Sequence, residues 1–451
     1  MPNSLRSLLA ALLTLGVVTA AAFHARKEPT LSKIEPLKKS GPRYWKGNLH
    51  THSLWSDGDD FPEMIADWYE RNGYQFLALT DHNVLSEGER WIDSTNRQVA
   101  MKKYLQRFGE PWVEQRTVKK KKQVRLKPLA EFRSLLEKPG RFLLVPGEEI
   151  THRYARYPVH MNAINLRNVI KPVDGDSVSE TIQVNHRAVA DQGKRLKRSM
   201  LTFLNHPNFQ WGVRVEDMMA VPELKFFELQ NGHPGVRNYG DKEHPSCERM
   251  WDIMLAQRLG KLRLPIVYGV ATDDAHRYHQ FGVGKVNPGR AWVMVQAPYL
   301  TAEAMVRAMH KGDFYCSTGV TLNRIHRAKK KLCVMIQSEK GVTYKTEFIV
   351  TLKNADFKAK DRPKKKEPPK PIKDEKKKKK DEDKKKEEPV LSKIYSDEIG
   401  RVAKTVKGNN AVYEFTGEEL YVRAKVTSTK PHPNPYKAGD VEVAWTQPFR
   451  P

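Results

Sequence analysis

The segment NLHTHSLWSDG, residues 48–58, closes a short apolar run and places His50 and His52 two positions apart. In an extended strand, side chains at i and i+2 point the same way, so both imidazoles can face one cation. Asp57 follows in a Ser-Asp-Gly turn that can swing its carboxylate back toward them. Similar runs recur downstream, near Phe76–Asp81, Phe142–Ile150, Val159–Leu166, Leu201–Asn205, Phe226–Gln230 and Ile266–Thr272. With Gly47–His50 they make about seven candidate strands. Amphipathic stretches such as Pro62 to Arg71 and Glu248 to Leu259 lie between several of them. This alternation predicts an α/β fold of repeated strand–helix units. A barrel of about seven strands is the first reading, and an open sheet is the alternative.

Histidines and acids gather where these runs end. The second ends in LALTDHN, placing His82. The third ends in LVPGEEITH, with Glu149, and the fourth begins VHMN, with His160. The fifth ends in FLNHPNF, with His206, and the seventh in GVATDDAH, with Asp274 and His276 again two apart. Reacting groups of barrel enzymes sit at the carboxyl ends of the strands. Two such pairs plus isolated ligands at one rim predict a metal site. Imidazole mixed with carboxylate suits Zn, Mn or Fe, whereas a calcium or magnesium cage calls for oxygen ligands. Glu148 precedes Glu149 on the same run and faces the other side, a structural position. Asp273 is displaced from Asp274 in the same way, and Asp81 suits a partner that orients a histidine. Asn231, His233 and Arg277 are candidates for the substrate pocket. Arg153, Arg156 and Arg277 stand next to candidate ligands in the sequence and could clamp an anionic oxygen, with a surface salt bridge the alternative for each.

HTHSLWSDG, TDHN, PGEE, the His of VHMN, NHP and DDAH together resemble the PHP (polymerase and histidinol phosphatase) superfamily over Trp45 to Val320. The PGEE element, the downstream His-x-Asn and the ending YVRAKVTS…AWTQP look like the CehA/McbA-like metal hydrolase branch. The resemblance implies a distorted (β/α)7 PHP barrel with a trinuclear site. It would place His50, His52, Glu149 and Asp274 on the first metal. Glu149 would bridge to a second metal held by His160 and His206. Asp57, His82 and His276 would hold a third. Family members often carry His where Asp57 stands, so two or three divalent ions are expected. Glu149 and Asp274 would hold a metal-bridging hydroxide that attacks the substrate, with no serine or cysteine nucleophile.

Three functions compete on this evidence. One is a phosphoesterase acting on a small phosphate ester or a nucleotide. Another is a carbamate, ester or amide hydrolase using the same metals. The last is a non-catalytic metal- and polyanion-binding surface protein.

The 451 residues suffice for one large domain and a smaller one. The apolar fraction is 39% and the formal charge +26. Much of that excess lies in two basic stretches, Lys119 to Lys127 and Lys358 to Glu388. The second is nearly all Lys, Glu, Asp and Pro and cannot bury apolar surface, so it reads as a disordered insertion. It is a candidate contact for polyanions or an anionic membrane surface. No specific nucleic-acid motif is present. Alternation over Val342 to Leu352 and Ala411 to Val426 predicts a small C-terminal β domain, 330–451, interrupted by that insertion. Two unrelated tails are the alternative. The barrel is expected over 44–329. Residues 1–22 read as a signal peptide or membrane anchor, with Arg6 ahead of an apolar run and Ala20 to Ala22 after it. Residues 23–43 read as a linker. The protein is therefore expected to be exported, as a periplasmic, secreted or membrane-anchored protein. Cys247, Cys316 and Cys333 show no metal spacing, and a single disulfide stays open.

Overall fold

In the computed structural model, residues 43–362 and 391–451 are described. The expected signal segment 1–22 and nearly all of the linker lie outside them. So does the lysine tract from residue 363 onward. Arg43, read as the last linker residue, instead opens the first strand.

The chain begins with β1 (Arg43–Asn48), α1 (Pro62–Arg71) and β2 (Phe76–Leu79). Pro62 suits the first helical position, where its missing N–H costs nothing. Ile65, Ala66 and Tyr69 then form one buried stripe against Leu77 and Leu79. The segment around the first basic stretch folds as β3 (Arg90–Asp93), α2 (Gln98–Phe108), β4 (Gln115–Val118), β5 (Lys121–Leu126) and α3 (Leu129–Leu136). Its three strands make a separate small sheet in the order β3-β5-β4.

The central part continues through β6 (Leu143–Tyr154), β7 (Tyr157–Ile164), α4 (Val178–Leu196), β8 (Leu201–Leu204), α5 (Val215–Met219), β9 (Phe226–Asn231), α6 (Cys247–Gln257) and β10 (Tyr268–Thr272). After β10 come β11 (Trp292–Ala297), α7 (Ala302–His310), β12 (Phe314–Ser317), β13 (Leu322–Ala328), β14 (Lys331–Ile336) and β15 (Tyr344–Leu352). The last elements are β16 (Arg401–Lys407), β17 (Asn410–Glu414), β18 (Glu419–Pro431) and β19 (Val441–Thr446).

All seven expected strands exist, as β1, β2, β6, β7, β8, β9 and β10. Several, such as FLAL and LTFL, are buried at every position, which is why they read as continuous apolar runs. The expected strand–helix alternation breaks at one place. β6 and β7 form an antiparallel hairpin, with Glu149 opposite Asn162, and β7 pairs antiparallel with β8. The turn runs through Ala155 at φ 50°, so no crossover helix fits between them. β1, β2 and β6 are parallel, as are β8, β9 and β10.

One sheet of thirteen strands runs β10-β9-β8-β7-β6-β2-β1-β11-β12-β19-β18-β15-β16. Beyond the ends of β1 and β10 the chains meet in an isolated parallel bridge, Thr51 with Ala275. The His52 N–H donates to the Ala275 carbonyl and the Asp274 N–H to the His50 carbonyl, both at 2.9 Å. The two ends of the strand series therefore touch at the rim that carries the histidines.

The C-terminal strands β19, β18, β15 and β16 add to the same sheet through β12. Against them packs a small sheet β13-β14-β17, over a core of Leu322, Leu332, Val334, Phe348, Val422 and Val426. β13 lies before the boundary expected at residue 330, yet it belongs to this second core. The segments flanking the lysine tract are pinned together. Lys360 and Ile394 form an antiparallel bridge, and Arg362 Nε donates to the Ser392 carbonyl at 2.8 Å. All three cysteines are free.

Candidate metal centre

The strand ends bring nine candidate ligands to one rim. Glu149, 1% exposed, is the hub. Its carboxylate lies 2.7 Å from His82 Nδ1, 3.1 Å from His160 Nδ1 and 3.3 Å from His206 Nε2. His52 Nε2 is at 3.4 Å and His50 Nε2 at 3.5 Å. Asp274 Oδ1 is 3.2 Å from His50 Nε2 and 3.3 Å from His52 Nε2. Asp57 reaches back as expected, to 3.3 Å from His276, 3.6 Å from His82 and 3.7 Å from His52. That return requires glycine at position 58, since a Cβ there would stand 2.4 Å from the His52 carbonyl oxygen.

Three compact groups emerge: His50, Glu149 and His206; His50, His52 and Asp274; and His52, Asp57, His82 and His276. Their ligand atoms lie within 4.8 Å of one another inside each group. The sharing differs from the expected sets. His50 also joins the Glu149–His206 pair, and His52 also joins the Asp57 group. His160 touches Glu149 and meets His206 edge-on, with ring centroids 5.0 Å apart.

Charge and burial make this donor set fit divalent cations. Burial raises the Glu149 carboxyl, but His160, His50 and His82 override it and hold it well below its usual range. Asp274 behaves likewise, with burial opposed chiefly by His50 and His52. Burial, then His276 and His82, pull His52 down to about 3, so its ring is neutral with a lone pair to give. Burial also lowers His160. Burial would lower His50 too, yet Asp274, Glu228 and Glu149 keep it well above its usual value. At His82, burial is outweighed by Glu149 and Asp57, and the ring is pushed up to about 10. Cations binding here would displace such protons, as metal coordination requires. His206 and Asp274 sit at φ 22° and 50°, backbone strain of the kind that collects at functional sites.

One residue escaped the sequence reading. Glu228, 1% exposed, lies in the otherwise apolar start of β9. Its Oε1 is 2.6 Å from His50 Nδ1 and accepts the Thr272 hydroxyl at 2.6 Å. Its Oε2 accepts the His206 N–H at 2.8 Å and the Asn231 amide at 2.7 Å. It therefore turns His50 Nε2 toward the cluster, the carboxylate–histidine arrangement that orients metal ligands. A lone acid inside FFELQN was the available signal. Asn205 is a second omission, donating to Glu149 Oε1 at 2.8 Å.

The pocket candidates divide. Asn231 is fully buried, and its amide is committed to Glu228 and to Asp274 at 3.1 Å, so it supports ligands and does not line an open pocket. His233 is half-buried at the rim, its ring 5.8 Å from that of His276. Its Nδ1 accepts the Gly235 N–H, leaving Nε2 to carry the proton of the neutral ring. Arg277 is exposed and 3.9 Å from Asp59. Glu148 faces away, as expected, and accepts the Ile170 N–H at 2.6 Å. Asp273 is likewise outside the cluster, bound by Tyr69 and the backbone of Gly289, Arg290 and Ala291. Asp81 does not touch a histidine. It holds Ser53 and Ser56, and Ser56 Oγ in turn is 3.3 Å from His52 Nδ1.

A cavity of about 400 Å³ opens beside the cluster, walled by His82, His160, Phe209, Arg153 and Arg156 and containing no carboxylate.

No protein-family model matches the chain, and no curated protein matches it. Among solved structures it is similar to a two-domain protein from Bacteroides vulgatus described as containing a PHP-like metal-dependent phosphoesterase. The TM-score is 0.36 and the identity 14%, over 91% of this chain and 96% of that one. An amidohydrolase from Chromobacterium violaceum, with sulfate and no metal, gives 0.26 and 15% over 52% and 88%. A protein from Bifidobacterium adolescentis described as a metal-dependent phosphoesterase gives 0.28 and 11% over 60% and 96%.

Proposed function

We propose that this protein is a metal-dependent hydrolase acting on a small anionic phosphate ester. The observation that carries this reading is the convergence of five imidazoles, His50, His52, His82, His160 and His206, within 3.5 Å of one buried carboxylate. Divalent ions held by these residues would supply an acidified water, its pKa lowered toward about 7, and would offset charge on the ester oxygens. Glu149 and Asp274 supply shared negative charge, Glu228 fixes the His50 ring, and the Asp81–Ser56 pair steadies His52. The adjoining cavity favours a phosphoester over a neutral acyl substrate, because Arg153 and Arg156 line it and no acid does. The rim bridge between Thr51 and Ala275 supports a distorted (β/α)7 PHP-type barrel, and the motif set supports the CehA/McbA-like branch. We assign the protein outside the cytoplasm on its N-terminal segment, and an anionic surface contact to the lysine tract.

The test is a panel of aryl phosphates, aryl esters and aryl carbamates, assayed on protein reconstituted with Zn, Mn or Fe. Turnover of the phosphate is expected. Turnover confined to esters or carbamates overturns the substrate class, and a metal-loaded protein inert on all three overturns the enzyme.

A further inference from the structure

A second cavity, of about 440 Å³, lies at the other end of the strands. It is formed where β8 and β9 begin, between the C-terminal half of α4 and α7. The metal ligand His206 and the supporting Glu228 lie further along, beyond the end of β8 and within β9, and none of the cluster residues lines this cavity.

Its polar lining has one chemical character. Lys194, Lys197, Arg198, Lys225 and Arg307 face it, against Glu223 and Glu303. Both acids are already engaged. Glu223 accepts from Arg187 at 2.7 Å and Gln183 at 2.9 Å, and Glu303 pairs with Arg307 at 2.8 Å and accepts from Ser199. The ammonium groups of Lys194, Lys197 and Lys225 have no hydrogen bond or ion pair among the described residues; that of Lys225 lies 6.0 Å from the centroid of the Tyr268 ring, a contact that leaves its donors free. Thr202, 6% exposed, has a buried hydroxyl without a partner, and so does His186 at Nδ1.

Cations at helix C-termini offset the helix dipole, which accounts for Lys194 and Arg307. That explanation does not reach Lys225, which precedes a strand and whose pKa burial lowers. Nor does it reach Thr202 or His186. Buried polar groups are normally satisfied, and each exception calls for a missing partner. Here every unsatisfied group can donate: an ammonium, a hydroxyl and an imidazole N–H. Their common complement is an oxyanion, with a surplus of three cationic side chains to balance it.

We propose that this cavity is a second ligand site, separate from the metal centre, that takes the phosphate group of a small molecule. The proposal does not depend on the hydrolase reading. Lys225 and Lys194 grip the oxygens as charged donors, Thr202 Oγ1 donates from the floor, and His186 from the α4 wall. The volume admits more than a bare phosphate, so the ligand carries a modest organic portion.

The experiment is equilibrium dialysis of labelled inorganic phosphate against the metal-loaded full chain at 0.15 M KCl. Wild type should show a saturable class of site in addition to any that the metal centre binds. Lys194→Ala/Lys225→Ala should lose that class, its affinity falling about tenfold or more, with metal content unchanged. Thr202→Val, which keeps the side-chain shape, should weaken the same class by about three- to tenfold. Isotherms of both variants that superimpose on wild type overturn the proposal. So does a second class that disappears on going from 0.02 to 0.15 M KCl, which marks diffuse charge attraction. Vesicles with and without phosphatidic acid identify the source. Cosedimentation lost in the double variant assigns the phosphate to a lipid headgroup, and its absence in wild type assigns it to a soluble ligand.

Discussion

Replacing Glu149 by Gln should empty the metal centre, whereas Glu148→Gln should not. The two residues are neighbours on β6, and alternation sends their side chains to opposite faces. Glu149 has five imidazoles within 3.5 Å and belongs to the group with His50 and His206. The Glu148 carboxylate accepts one hydrogen bond among the described residues, from the Ile170 N–H. A unit charge pair about 4 Å apart is worth about 4 kcal/mol at an effective dielectric near 20, or roughly three decades in affinity. The amide keeps the shape of Glu149 but removes that charge from every ion it faces, so more than one site should weaken together. Glu148→Gln exchanges one hydrogen-bond acceptor for another and should cost about 1 kcal/mol of stability at most. The assay is metal per chain by mass spectrometry after dialysis against graded chelator, with aryl phosphate turnover in parallel. If Glu148→Gln loses metal while Glu149→Gln retains it, the register of β6 is wrong by one residue. If both retain it, Glu149 is not a ligand.

Glu228→Ala should lower metal affinity about 10- to 100-fold while leaving every direct ligand in place, since it removes the partner of His50 Nδ1; unchanged affinity in the same titration would refute its positioning role. Asp60 gives a pH signature. Burial above all, with help from Asp59 and against the Phe61 N–H, pushes its carboxyl up from 3.8 to about 7. The folded state therefore holds a proton that the unfolded chain releases near pH 4, and stability should fall as pH rises from about 4 through 7, by up to about 4 kcal/mol. In Asp60→Asn, urea melts across the window should show the slope reduced by that contribution, and a variant whose pH dependence matches wild type would contradict the assignment. Asp252→Ala should destabilise by about 3–5 kcal/mol, because it strands the buried Arg423 of β18, which Asp252 of α6 binds at 2.6 and 2.8 Å. Asp252→Leu/Arg423→Met should recover much of that loss, and a single variant costing under about 1 kcal/mol would show the pair to be dispensable.

Much of the centre was legible in the chain because its signals are local. Period-two spacing pairs His50 with His52 and Asp274 with His276, and it separates Glu149 from Glu148; each of those relations depends on two or three consecutive residues. Strands such as β2 and β8 could be found for the same reason, since a strand buried on both faces must be apolar throughout. Pairing is not local. That β6 and β7 form a hairpin, that β11 runs antiparallel to β1, and that the C-terminal strands extend the same sheet all depend on which backbone edge each strand meets, and no short window of sequence carries that information. The role of a buried acid is equally a matter of partners. Glu228 is the one carboxylate of β9 and Asp252 one of two in α6; only the fold, by placing His50 against the first and Arg423 against the second, makes Glu228 a support of the metal centre and Asp252 a clamp between α6 and β18.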